Sequence, residues 1–327
     1  MAGGQERILR RRIKSIQSTK KITKAMELIA ASQIVRAQGR IIAARPYEEG
    51  MARIVLEAAT GDPVAAGNLL GTPEKIEKVA VLSVVADRGL CGGYNTSVFR
   101  ATERHLRAAT ADNIEYRLFT VGKKAQGYFR FRGQPVEQSF VGMSERPTFE
   151  HARAVAGAVL TPFVNGEVDQ VMIVSTRFLS AGSQSVDVKQ LLPLVDPRQG
   201  SEPVTGDGDG ASAAGSARSD DGDDRSGYTE FEPDAAELLE TLAPRAAETA
   251  IFVALLEASA SELTARQRAM AAATDNAEEL VKKYSRIMNR ARQDTITTEI
   301  MEIVSGAEAL RADADEDKGG LVIEARV

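Results

Sequence analysis

The feature of this sequence that most constrains its fold is the scarcity of helix-breaking residues at both ends. Between Arg245 and Ser305 there is neither glycine nor proline, and residues 5–45 contain only one glycine, Gly39, and no proline. Glycine and proline interrupt helices more strongly than any other residues. Each stretch therefore predicts one long helix, about 75 Å in length for roughly 50 residues and about 90 Å for roughly 60.

Both long stretches carry a heptad pattern, which is typical of helices that pair. In the second stretch Leu263, Met270, Ala277, Tyr284 and Ala291 recur every seven residues. In the first, the stripe has a polar centre, which disfavours a self-sufficient homodimeric coiled coil. Its members are Leu9, Ile13, Ile16, Lys20, Thr23, Glu27, Ala30, Ile34, Ala37, Ile41 and Ala44. We expect the two helices to pair with each other, with partner proteins, or with both.

The middle of the chain alternates between strand-like and helix-like segments. The run KVAVLSVVA at 78–86, EYRLFTV at 115–121, VDQVMIVS at 168–175 and VDVKQLLPLV at 186–195 predict strands, and helical segments separate the first three. Strands separated by helices favour a mostly parallel, Rossmann-like sheet. The predicted fold class is therefore α/β, with this domain inserted between the two long helices.

These patterns divide the chain into five predicted segments. The stretch 198–227 is rich in Gly, Asp, Ser and Ala, which is typical of a flexible acidic loop. The segments are an N-terminal helix at 1–57, the α/β domain at 76–195, the acidic loop at 198–227, a C-terminal helix at 233–311 and a flexible tail at 312–327.

Composition excludes several classes of protein. One cysteine, Cys91, is too few for a disulfide scaffold or a cysteine metal site, and two histidines disfavour histidine-based catalysis. No apolar run approaches the ~20 residues of a membrane span, and no apolar segment follows the basic start as in a secretory leader. We therefore expect a cytosol-facing protein that is not a hydrolase of the common kinds.

The charge is strongly segregated along the chain. Residues 1–53 hold twelve Lys and Arg against four acids, whereas residues 200–234 hold ten acids against two arginines. A basic helix could indicate nucleic acid or an anionic membrane surface. Consecutive arginines at 10–12 point in different directions, however, and no aromatic residue interleaves with them. A partner protein is therefore favoured over nucleic acid.

A glycine-rich turn, DRGLCGGYN at 87–95, follows the first predicted strand and precedes a helix. That position invites a phosphate-binding interpretation, but the spacing matches neither the dinucleotide nor the P-loop motif. A tight strand-to-helix turn is the favoured interpretation. Cys91 has no histidine near it in sequence, which disfavours a catalytic thiol.

Five stretches together resemble the gamma subunit of the F-type ATP synthase. The two most specific are KKITKAMELIAAS at 20–32 and NRARQDTITTEIMEIVSGAEAL at 289–310. The turn DRGLCGGYN, FEPD at 231–234 and ATDNAEEL at 273–280 agree in order and spacing. The resemblance covers nearly the whole chain.

The resemblance implies that the terminal helices form an antiparallel coiled coil, the central shaft of a rotary complex. It implies that the nucleotide chemistry belongs to the beta subunits, so that this chain has no catalytic residue, cofactor or metal of its own. It implies one copy per complex, on the cytoplasmic face of a bacterial plasma membrane, with a ring of alpha and beta subunits, an epsilon subunit and a c-ring as partners. By position, Lys24 and Met26 would face a beta-subunit loop, and Arg292, Gln293, Thr297 and Glu299 would contact the same collar of the ring. Phe231 and Glu232 would lie near the c-ring.

Two other functions remain open on the residues alone. A nucleotide-binding Rossmann enzyme would bind nucleotide as an isolated chain. A coiled-coil adaptor with a non-catalytic Rossmann-like domain would form a stable homodimer through its helices.

Overall fold

A computed structural model describes residues 2–61, 75–193 and 234–320. The chain divides into two compact units. One consists of Met1–Glu27 with Met270–Val327, and the other of Leu28–Ala269. The predicted acidic loop at 198–227 lies outside the described residues, so that prediction stays a prediction.

Two long helices occupy the ends of the chain. Helix α1 runs from Ala2 to Gly61 and contains Pro46, and the last helix, α5, runs from Ala235 to Gly320 and contains Pro244. Both helices end later than predicted, at 61 instead of 57 for α1 and at 320 instead of 311 for α5. Helix α5 in particular continues through the first nine residues of the segment predicted to be a flexible tail, 312–320.

The insert between the long helices forms a five-stranded sheet of order β3-β2-β1-β4-β5. Strands β1 (Lys78–Val84), β2 (Glu115–Val121), β3 (Gln138–Phe140) and β4 (Gln170–Phe178) are parallel, and β5 (Gln184–Leu192) is antiparallel to β4. The predicted α/β class with a mostly parallel sheet is confirmed. The short strand β3 was not predicted, because three residues are too few to show a pattern.

Three helices of ordinary length accompany the sheet, α2 (Tyr94–Ala111), α3 (Lys123–Phe131) and α4 (Phe149–Val164). Apolar residues at both faces of β1 are buried, as expected for a parallel strand covered on two sides. Val98, Leu106 and Phe129 from α2 and α3 belong to one core cluster. Val155 and Val159 from α4 belong to the other.

Helix α5 also contributes to the core of this domain. Ala247, Ile251, Leu255 and Ala258 are buried in the same cluster as β1 and α4. A further cluster joins Ile34, Ala37 and Ile41 of α1 to Leu256, Ala260 and Leu263 of α5. Within this unit α5 therefore has two roles, because it covers the sheet with one face and packs against α1 with another.

In the unit formed by the two chain ends, α1 and α5 run antiparallel. The Thr23 and Thr274 hydroxyl oxygens lie 2.8 Å apart, and Lys20 Nζ lies 3.0 Å from Glu278 Oε2. Farther towards the start of α1, the Arg12 guanidinium lies over the ring of Tyr284, 4.9 Å from its centroid. Every described member of the predicted heptad stripes is buried or half-buried, so both stripes are confirmed as contact faces.

Candidate partner interface

The first two predicted contact residues, Lys24 and Met26, lie on α1 just beyond the Thr23–Thr274 contact. Lys24 is exposed and its ammonium lies 2.9 Å from Glu27 Oε1, whereas Met26 is half-buried. The spacing places them off the heptad stripe that faces α5. They are therefore on a side of the helix pair that another protein can reach.

The other four predicted contact residues lie on α5 and are all exposed. They are Arg292, Gln293, Thr297 and Glu299. The Thr297 hydroxyl donates to the backbone carbonyl of Gln293 at 2.9 Å, so it is satisfied within the helix. The guanidinium, amide and carboxylate side chains in this set can still offer hydrogen bonds to a partner.

The structure does not bring the two sets together. Thr23 and Thr274 mark the same level of the helix pair. Gln293 lies nineteen residues after Thr274 on α5, and Met26 lies three residues after Thr23 on α1. Because the helices are antiparallel, these two offsets point in opposite directions and add. At 1.5 Å per residue the two sets are separated by roughly 30 Å along the helix axis. The expectation that both sets contact one collar of a ring stays a prediction.

A band of exposed apolar side chains lies among and just after the four predicted contact residues of α5. It was not predicted from the sequence. Its members are Ile296, Ile300, Met301, Ile303 and Val304, each between 48% and 72% exposed. All residues from Ile296 to Glu308 are exposed. Exposed apolar side chains gathered in one short segment mark a surface that is covered by a partner. We call these five residues the apolar band.

The last predicted pair, Phe231 and Glu232, lies outside the described residues. Their assignment to a contact with the c-ring stays a prediction.

The turn after β1 is held by the Asp87 carboxylate. Its two oxygens accept hydrogen bonds from the backbone N–H groups of Lys123 and Ser144 at 2.9 and 3.0 Å, and the Asp87 N–H donates to Ser144 Oγ at 2.9 Å. Burial alone would raise the pKa of Asp87, but these donors and that of Gly142 outweigh it and lower the pKa. The acid therefore joins three loops at the carboxyl ends of the strands, which supports the interpretation of 87–93 as a structural turn.

Two of the remaining candidate groups, Cys91 and His151, have hydrogen-bond partners within the fold. Cys91 is buried, its sulfur accepts from the Asn95 amide at 3.2 Å, and burial raises the pKa of the thiol. His151 is part of the capping box that starts α4, where its Nδ1 accepts from the Thr148 N–H at 3.2 Å. His105 is half-buried, and burial lowers its pKa.

Within the described ranges, no group of three or more His, Cys, Asp or Glu side chains converges as a metal site would require. Among the helices of the same ranges, none is both long enough and apolar enough to cross a membrane.

Known proteins resemble this chain in sequence over almost its whole length. The ATP synthase family model matches residues 5–310. The ATP synthase gamma chain of Parafrankia sp. strain EAN1pec is 44% identical over 315 residues, covering 95% of this chain and 99% of the relative. The gamma chain of Acidothermus cellulolyticus is 43% identical over 321 residues, covering 96% of this chain and 100% of the relative.

Solved structures show a similar fold at low sequence identity. A chain of the Euglena gracilis mitochondrial ATP synthase (OSCP, F1 and c-ring) matches with a TM-score of 0.62 and 19% identity, covering 95% of this chain and 96% of its own length. A chain of the Tetrahymena thermophila central stalk and c-ring matches with a TM-score of 0.54 and 21% identity, covering 77% and 99%.

Two long terminal helices with an α/β domain inserted between them in the chain define the fold class of this protein. Within that class, the chain belongs to the family of ATP synthase gamma chains.

Proposed function

We propose that this chain couples the rotation of a membrane-embedded ring to conformational change in a surrounding ring of catalytic subunits. The observation that carries the proposal is the antiparallel pairing of α1 and α5 through the Thr23–Thr274 and Lys20–Glu278 contacts. The two helices differ in sequence, so the pair has no rotational symmetry. Each subunit of a surrounding ring would meet a different face of it at any moment.

Such an asymmetric pair can act on its partners through differential contact. A partner changes state only by as much as the contact free energy differs between its states. A turning pair presents a different face to each subunit in turn, so it biases successive subunits. In this proposal the nucleotide chemistry belongs to the partners, and this subunit is not itself catalytic.

The partners we propose follow the names of the matching structures, which contain F1 and c-ring components. They are alternating alpha and beta subunits around the helix pair, and an epsilon subunit and the c-ring next to the α/β domain. One copy of the chain would serve each complex. The complex would be peripheral to the bacterial plasma membrane, with this subunit on the cytoplasmic face.

The geometry of the helix pair supports two separate contact levels. Lys24 and Met26 would meet one part of the beta subunits, and Arg292, Gln293, Thr297 and Glu299 would meet another roughly 30 Å away along the axis. The apolar band lies at the second level, so an apolar surface of the partner could cover it there beside the hydrogen-bonding side chains of the same level. At the first level, the exposed Lys24 can make polar contacts with one beta subunit after another as the pair turns.

The experiment that tests the proposal is the mass of the complex purified through an affinity tag on this chain from detergent-solubilised membranes. We expect one tagged copy together with several alpha and beta subunits. A homo-oligomer of this chain without such a ring would overturn the proposal and favour the adaptor. ATP hydrolysis by the purified chain alone would favour the enzyme.

A variant at the first contact level tests the coupling role directly. Met26→Lys adds a charge to a half-buried position on α1. We expect fewer protons pumped per ATP hydrolysed by the complex, because the new ammonium forms an additional contact with a beta-subunit surface. Met26→Leu is the control, because it conserves volume without charge. An equal pumping ratio in Met26→Lys and the parent would contradict this role.

A further inference from the structure

Glu262 is a buried carboxyl on α5 that the proposed coupling does not use. Its exposed fraction is 1%, and its Oε1 accepts a 2.6 Å hydrogen bond from Nη2 of Arg266, one helical turn away. Among the described residues, its second oxygen, Oε2, has no partner that meets the geometry of a hydrogen bond, although the Ser144 hydroxyl lies near enough to favour the ionised form. An ionised carboxylate shares its charge between both oxygens, so leaving one without a donor in the interior is unfavourable.

The cation beside Glu262 is shared with a second acid. Arg266 is itself buried, and its Nη1 lies 3.3 Å from Oε1 of Glu145, in the loop before α4. Arg88, the other cation next to Glu145, is largely exposed and lies 3.3 Å from that same oxygen. One buried guanidinium, that of Arg266, therefore faces two carboxylates. Because it is shared between them, it only partly compensates the charge of an ionised Glu262.

Other elements packed around Glu262 contribute few groups that favour its ionised form. The groups that face it from outside α5 are the Ser144 hydroxyl, the Glu145 carboxylate, the Cys91 thiol and the Tyr94 phenol. Burial is the largest effect and raises the pKa of Glu262 from its ordinary 4.5 to about 7, against the opposing effects of Arg266 and Ser144. The proton is therefore exchanged near neutral pH.

We propose that Glu262 is a proton-binding site whose occupancy strengthens the attachment of α5 to the carboxyl edge of the sheet. Two of the hydrogen bonds that make this attachment lie within one helical turn of Glu262. The Tyr94 hydroxyl donates to the Ala258 carbonyl at 3.1 Å, and the Ser259 hydroxyl donates to the Glu145 carbonyl at 2.9 Å. The site belongs to the fold of this chain and does not depend on the rotor function.

The direction of the pH effect follows from proton linkage. The folded protein holds the Glu262 proton up to a pKa of about 7, whereas an unfolded glutamate releases it near 4.5. The folded state therefore binds more protons between these values. The stability that this group contributes is fully present below about pH 4.5 and is lost as the pH rises through about 7. The attachment weakens when Glu262 must be buried as a charge.

Hydrogen exchange on the full chain tests the proposal. We would compare the opening equilibrium of the α5 amides at 255–266 at pH 6 and pH 8, after correction for the intrinsic rate of exchange. In the parent we expect opening to increase on the order of tenfold, as expected for one linked proton. In Glu262→Gln, which keeps the shape without the charge, we expect the dependence to disappear and protection at pH 8 to increase.

The matched control is Glu240→Gln, an exposed glutamate on the same helix. It should keep the pH dependence of the parent. The same dependence in Glu262→Gln and the parent would overturn the proposal.

A second measurement decides the question even if Glu262→Gln does not fold. Infrared spectra of the parent should show a protonated carboxyl at pH 6 that is lost by pH 8. The absence of any protonated carboxyl in the parent at pH 6 would overturn the proposal.

Discussion

At the scale of single residues, Gly122 occupies a position that no other residue can take without strain. Its φ is +99°, and a Cβ atom there would lie 2.3 Å from the carbonyl oxygen of Val85. The close atom belongs to the backbone at the end of β1, so a flexible side chain cannot simply move away. The backbone N–H of Gly122 also donates to the Phe140 carbonyl at 2.7 Å.

We therefore expect Gly122→Ala to lower the free energy of unfolding by about 3 kcal/mol or more, from strained φ and steric overlap together. Thermal unfolding of the full chain followed by circular dichroism would measure it. Gly127→Ala is the control, because that glycine lies inside α3 with open space around it. There the higher helix propensity of alanine should stabilise the protein by up to about 1 kcal/mol. Equal melting of Gly122→Ala and the parent would contradict the expectation.

Residue roles of this kind were only partly predictable from the sequence. The turn at 87–93 was predicted as structural because its glycine spacing fits no phosphate motif. The specific partners of Asp87 lie in loops far away in sequence, around Lys123 and Ser144. The role of His151 was missed because a capping box usually has Glu or Gln at that position. Glu262 gave no local signal, because its burial results from packing.

At the scale of secondary-structure elements, α1 alternates between buried and exposed apolar residues. Ile34 is 7% exposed and belongs to the cluster with Phe178 and Leu263, whereas its neighbour Val35 is 69% exposed. The two residues are adjacent in sequence and similar in chemistry. Replacing each of them by alanine therefore distinguishes the effect of packing on stability from the effect of helix propensity.

We expect Ile34→Ala to lower the free energy of unfolding by about 2–4 kcal/mol, because it removes buried methyl groups and leaves a cavity. Val35→Ala is the matched control and should change it by no more than about 0.5 kcal/mol. Urea denaturation of the full chain would measure both. Similar losses in the two variants would show that the assignment of the buried face is incorrect.

The heptad pattern predicted the buried face of α1 because its period depends only on helix geometry. The same reasoning placed α5 as a pairing helix but missed its contribution to the sheet domain. Ala247 and Ile251 face the core of that domain, yet an alanine-rich helix shows little contrast between its faces. The apolar band was missed for a related reason. Its isoleucines are separated by small and charged residues, which gives the segment no clear apolar face in the sequence.

At the scale of the whole molecule, the proposed rotor function requires that α1 and α5 turn together. The Thr23–Thr274 contact, with 2.8 Å between hydroxyl oxygens, joins residues 251 positions apart in sequence. Both threonines are buried, and Thr274 also donates to the Met270 carbonyl at 2.8 Å. Pairing of two hydroxyls fixes the register of the helices more specifically than apolar packing does.

A disulfide in place of this hydroxyl pair would test whether the helices move as one body. Side chains this close suit the geometry of a disulfide, and the native Cys91 is buried and would not compete. We expect Thr23→Cys/Thr274→Cys to cross-link on oxidation and the complex to keep its rate of ATP hydrolysis and its proton pumping. The single-cysteine variants are the controls. Inhibition on oxidation that a reductant reverses, in the double variant alone, would show that the helices must slide past each other during turnover.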